Sequence, residues 1–156
     1  ERLTTAEDDL LYCLLHDVRL GRSLAQIIDP SWLDTKVVAG RILAKIFAEV
    51  LADGSLKTSE MEELLETDEE RFHFQNLLFQ ESDDDSEKEI LEISNHCIAA
   101  IFSRFSRILE KDLLENLKNF ETTSTSNLEI RTKLKEIRTS RKSPPKISKI
   151  ELETIP

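Results

Sequence analysis

The sequence predicts an all-α fold: a compact multi-helix bundle, then a long helix and a C-terminal helical hairpin. Three observations predict it. Apolar residues recur at helical spacing, and no strand-length stretch alternates cleanly between apolar and polar. Thr4-x-x-Glu7, Ser59-x-x-Glu62, Thr67-x-x-Glu70, Ser86-x-x-Glu89 and Ser126-x-x-Glu129 each open such a stretch with capping-box spacing. From Glu87 to Phe120 no Gly or Pro interrupts the chain.

The first helix is expected from Ala6 to Asp17, with Leu10, Leu11, Leu14 and Leu15 on one face. A short second helix covers Arg22 to Ile28 and stops at Asp29-Pro30, because the residue before Pro avoids the α region. Trp32 reads as an anchor for the junction that follows. Asp34 then caps a third helix striped by Val37, Val38, Ile42, Ile46, Phe47, Val50 and Leu51, which Asp53-Gly54 ends. Helix four lies near Glu60 to Leu65. Helix five runs from Asp68 to Gln80, with Phe72, Leu77, Leu78 and Phe79, and an acidic loop follows.

Helix six, Glu87 to Phe120, would be on the order of 50 Å long, more than a small bundle needs. Its pattern changes halfway. Ile90 to Leu109 present a broad apolar face suited to burial; beyond Lys111-Asp112 only Leu113, Leu117 and Phe120 remain in the stripe, with Leu114 beside it. The first half therefore plugs the bundle and the second projects. After a turn at Glu121 to Ser126, helix seven runs from Asn127 to Arg141 with Ile130, Leu134 and Ile137 in line and Leu128 on the opposite side. Pro144-Pro145 stops it. The expected units are a compact part at 1–108, a hairpin at 109–141 and a flexible tail at 142–156, whose Ile147, Ile150, Leu152 and Ile155 suit a groove.

Helix seven brings few aliphatics to offset the ordering entropy of about fifteen residues. The hairpin therefore needs a second surface: it folds back on the body, or it docks on a partner.

Charge divides the chain. Residues 1–89 hold 22 acids against 9 bases, and residues 90–156 hold 9 against 12. The acidic body repels nucleic acid, so only the basic stretch Arg131 to Lys149 offers weak phosphate contact. It has no interleaved aromatics, which disfavours base stacking. No apolar run spans a membrane. With no leader-like run and two cysteines in apolar surroundings, Cys13 and Cys97, the expected compartment is the cytoplasm and the expected thiols are reduced. A start at Glu1 reads as a processed or cut chain.

No catalytic site, metal or cofactor is expected in this chain. Three glycines leave no phosphate-binding loop, and neither G-x-S-x-G nor H-E-x-x-H occurs. Cys13-x-x-His16 with His96-Cys97 falls short of paired zinc-ligand spacing. Glu70-x-x-His73 appears once where a di-iron bundle uses the motif twice. Asp83-Asp84-Asp85 lacks the central Gly of a calcium loop.

The order of LLYCLLHD, DPSWLDTKVVAGRILAKIFAEVLADGS, MEELLETDEERFHFQNLL, the long helix and the hairpin resembles the C-terminal helicase-binding domain of bacterial DNA primase, over residues 5–141. The resemblance implies an interaction domain for DNA replication. Its hairpin docks on the N-terminal domains of the hexameric replicative DNA helicase. The parent would be an enzyme, a DNA-directed RNA polymerase whose zinc-binding and polymerase domains lie upstream. Position in the hairpin nominates Leu113, Leu117, Phe120, Leu128, Ile130, Leu134 and Ile137 as partner-binding residues. The competing readings are the helicase's own N-terminal domain, which shares this bundle, a generic regulatory bundle, and a helical metal-dependent enzyme using His73, His96 and nearby carboxylates.

Overall fold

The computed structural model describes residues 4–54, 56–80, 87–119 and 124–147. Among them the regular elements are all helical: α1 (Ala6–His16), α2 (Leu20–Ile27), a 3-10 turn (Pro30–Trp32), α3 (Val38–Asp53), α4 (Thr58–Glu63), α5 (Asp68–Leu78), α6 (Glu87–Asn119) and α7 (Ser124–Lys142).

The starts of these helices correct the expected caps. Thr5, not Thr4, caps α1: its hydroxyl accepts from the Asp8 N–H, and the Asp8 carboxylate returns to the Thr5 N–H. Glu7 is thereby released for a tertiary role. Thr67 caps α5 as expected, accepting from the Glu70 N–H at 3.1 Å. Glu70 does not complete the box, because its carboxylate binds Lys45 of α3. Lys57, without a side-chain cap, precedes α4, so Ser59 lies inside the helix. Ser126 likewise lies within α7, and Ser86 falls outside the described residues. Asp34 does not cap α3: Val37 holds that position, while Asp34 accepts from the Lys36 N–H in the preceding turn. In a chain with 31 acids, Ser/Thr-x-x-Glu spacing recurs by composition, and tertiary partners decide which acids return to their caps.

Two glycines have steric reasons. A Cβ on Gly40 would meet the Asp34 carbonyl oxygen at 1.9 Å, so only glycine lets α3 start against that turn. Gly54 ends α3 at φ 89°, a left-handed value that L side chains rarely adopt.

α1 is the central element, packing on α2, α3, α5 and α6. Leu10, Leu11, Cys13 and Leu14 are fully buried, as a helix apolar on most sides requires. Leu20 and Leu24, then Ile42, Leu43, Ile46 and Phe47, then Met61, Phe74 and Leu77 close around it, and Ile90, Cys97, Ile98 and Ile101 seal it from the α6 side. α2 begins at Leu20, two residues earlier than expected, because Leu20 is drawn into this core. Trp32 anchors its junction to α6, its ring 5.0 Å from Phe102 and 6.0 Å from Phe105. Cys13 and Cys97 are buried and form no disulfide, and burial pushes the Cys97 thiol up to about 12. Such a thiol is unreactive near neutral pH.

On α3 and α5 some expected core residues are not core. Leu51, Phe72 and Phe79 stand exposed, 57, 71 and 76%. On α5 the buried side is Glu70, Phe74 and Leu77, and Phe72 lies about half a turn away from it. The hydrophobic composition of α5 alone did not reveal which arc faced inward.

Polar contacts fix α6 on this core. Glu7, fully buried, receives Arg104 through two bonds of 2.9 and 2.6 Å and also accepts the Asp34 N–H at 3.0 Å. Arg104 donates onward to the Trp32 carbonyl. One carboxylate thus ties α1, the 3-10 turn and α6 together. On the other side of α1, the Asp8 carboxylate lies 2.6 Å from His73 of α5.

Candidate protein-docking hairpin

α6 uses two different faces. At about 100° per residue, Ile90, Ser94, Cys97, Ile98, Ile101 and Phe105 share an arc directed at the bundle. Asn95, Ser106, Glu110, Leu113 and Leu117 share another, roughly a third of a turn away. α7 packs along this second arc.

The register of the hairpin is set by charge-assisted bonds. Arg138 Nε donates to Glu110 Oε1 at 2.8 Å, Arg141 Nε donates to the buried Ser106 hydroxyl at 2.9 Å, and the Arg141 guanidinium also pairs with Glu110. The hydrogen bonds from Arg141 and then Arg138 hold the Glu110 carboxyl below its ordinary value. Counting back along antiparallel helices brings Leu134 level with Leu113 and Leu114, and Ile130 level with Leu117.

Six of the seven nominated residues are described. Leu134, 5% exposed, closes the α6–α7 seam and offers little to a partner. Leu113, Leu117, Ile130 and Ile137 are half-buried along it. Leu128 points away, 66% exposed. Phe120 lies outside the described residues. The stripe read as an open edge is therefore partly consumed by α6 itself. Among the described residues of the arm, Leu128 with Ile108, Leu109 and Leu114 are left facing water. Ile108 and Leu109, expected within the plug, are exposed because the bundle ends before them. Ile108 lies on the bundle-facing arc, and only the position of the other helices reveals that nothing covers it.

Past α7 the chain turns back rather than hanging free over its described part, which corrects the expected flexible tail for 143–147. Ile147 is buried in the core, and its backbone is held from both sides by one side chain: its N–H donates to Asn95 Oδ1 at 2.7 Å, and its carbonyl accepts from Asn95 Nδ2 at 2.9 Å. Its apolar character after Pro-Pro was a legible signal; the Asn95 latch carried none. Ile150, Leu152 and Ile155 lie outside the described residues.

A second feature is a cleft of about 610 Å³ between α1 and α6, lined by Asp8, Asp9, Tyr12, Glu92, His96 and Cys97 among others. Burial raises the Asp8 carboxyl, but bonds from Thr5 and His73 outweigh it and leave the group below its ordinary value. His96 lies here, whereas His73 is committed to Asp8 and His16 faces the Leu77 carbonyl. Among the described residues no three His, Cys, Asp or Glu side chains gather as a metal-holding group. Nor is any described helix long and apolar enough to cross a membrane.

The fold and this surface define a helical bundle carrying a two-helix arm. No protein-family model, curated protein or solved structure matches the chain.

Proposed function

We propose that this chain is a docking module of the kind bacterial DNA primase uses to bind the replicative DNA helicase, tethering primer synthesis to the moving fork. The observation that carries the reading is the arm: α6 continues past the bundle, α7 packs chiefly on α6, and Ile108, Leu109, Leu114 and Leu128 remain open to solvent. Exposed aliphatics on a thin two-helix unit are better accounted for by a partner's apolar groove than by the chain's own core. The order of helices supports the choice of partner through the resemblance over residues 5–141. On this reading the chain has no catalytic step of its own, works in the cytosol, and belongs to a parent whose nucleotide-polymerising machinery lies elsewhere.

The test is titration calorimetry, or co-elution, with the cognate hexameric helicase. Leu114→Asp with Leu128→Asp should weaken binding at least tenfold, since burying the open parts of these two side chains, 37 and 66% exposed, contributes about 1.5–3 kcal/mol together. Both positions are exposed, so the melting temperature should stay within about 2 °C of the parent. Equal affinity of parent and double variant, or no helicase binding by the parent, refutes the proposal.

A further inference from the structure

Two surfaces are complementary to each other, the second of them on the α7 face that also carries Leu128. The first is the outer face of α5. Phe72, and Phe79 at the C-cap just past the helix, stand there opposite the buried Glu70, Phe74 and Leu77, about 10 Å apart along the axis. Asp68 and Glu69, both exposed and paired with Arg71 and Arg41 of the same chain, flank Phe72. Over residues 56–80 the chain holds seven acids against two bases. Single exposed apolar residues are ordinary on a protein surface; two large aromatics on one polar helix face are not.

The second surface lies on α7. Arg131, Lys135, Arg138 and Lys142 follow at spacings of four, three and four, which places them in one exposed stripe about 16 Å long. They rim a shallow groove of about 410 Å³ with Leu134 and Thr139. Among the described residues Arg138 alone of these four has an ion-pair partner, Glu110. Over residues 124–147 the chain holds seven bases against two acids.

We propose that the α7 groove of one copy receives the α5 face of a second copy. The Phe72 and Phe79 rings cover the methylene stems of Lys135, Arg138 and Lys142, with the cationic heads over the ring faces or turned to Asp68 and Glu69. Unlike surfaces meet, so the contact is heterologous. A dimer built this way keeps one free α5 face and one free α7 groove, and it can extend. Charge and groove chemistry both select a second copy over nucleic acid. A polyanion at the groove also meets a body carrying 22 acids against 9 bases, and the groove presents no aromatic for a base to stack on.

The experiment is sedimentation of the 156-residue chain without helicase, at rising concentration, from about 0.05 M to about 0.5 M salt. The mass should climb above 18.0 kDa with concentration at low salt and fall back as salt rises. Phe72→Ser with Phe79→Ser, and separately Lys135→Glu with Lys142→Glu, should each remain monomeric with unchanged melting, because all four side chains are exposed. Mixing the two variants should restore association that stops at a one-to-one dimer, since each supplies the surface the other lacks. A mass of 18.0 kDa under all conditions, self-association by either variant, or a mixture that stays monomeric overturns the proposal. So does a fluorescent oligonucleotide or acidic peptide that binds the monomeric chain and is lost with Lys135→Glu and Lys142→Glu, which assigns the groove to that partner.

Discussion

Replacing Glu7 by alanine should loosen α6 from the bundle at a calculable cost. The carboxylate is fully buried, takes two bonds from Arg104, and satisfies the Asp34 N–H. Removing one member of a fully buried pair costs about 3–5 kcal/mol, because the other charge is left uncompensated. Here the Arg104 side chain is 37% exposed, so its head recovers water and the cost falls to about 2–3 kcal/mol. The orphaned Asp34 N–H adds about 1 kcal/mol. The sum, about 3–4 kcal/mol, is a large part of the 5–15 kcal/mol typical of a domain. At roughly 2–4 °C per kcal/mol for this size, the melting temperature drops by about 10 °C. Urea and calorimetric unfolding read both numbers. Arg104→Met should cost at least as much, because it strands the fully buried carboxylate instead of the half-exposed guanidinium. Glu7→Leu with Arg104→Met should recover part of the loss. A drop below about 2 °C for Glu7→Ala would show that the clamp is replaceable by water and that the reasoning from its burial is wrong.

The remaining expectations are briefer. Leu134→Ala should open the α6–α7 seam locally: hydrogen exchange should accelerate in 128–142 while α1 and α3 stay protected, and uniform acceleration would mean that the arm unfolds only with the body. Acid should destabilise the bundle through Asp8 and Glu70. For each, burial raises the carboxyl but bonds from its partners, Thr5 and His73 for Asp8 and Lys45 for Glu70, bring it below its ordinary 3.8 or 4.5. The stability they add is therefore complete above those ordinary values and is lost as pH falls through the lowered folded ones. Asp8→Asn with Glu70→Gln should flatten that part of the stability profile. Gly40→Ala should destabilise by more than the ~1 kcal/mol a helical alanine normally gains, because the new methyl meets backbone at 1.9 Å. Gly21→Ala, whose nearest contact would be the Leu14 side chain at 3.5 Å, should be neutral or mildly stabilising in the same melts.

The all-helical class, the order of the seven described α-helices and the inward face of α1 were determined by the sequence, because 3.6-residue periodicity and Gly/Pro punctuation are local properties that each segment carries alone. Leu10, Leu11, Leu14 and Leu15 face inward as their spacing required. Gly54 ends α3 as its position in the sequence required, because there a backbone preference acts on one residue. Tertiary structure decided the rest. Thr5 displaced Thr4 as the cap when Glu7 found Arg104, 97 positions along the chain. Phe72 and Phe79 turned outward because only one arc of α5 reaches the core, and two apolar arcs in one helix cannot both be buried by one neighbour. Leu134 closed the arm's seam and left Leu128, Leu114 and Ile108 as its open surface, because where α6 outruns the bundle depends on the placement of every other helix. A docking surface is what remains after internal contacts are satisfied. It is a remainder of the whole fold, which periodicity within one segment does not contain.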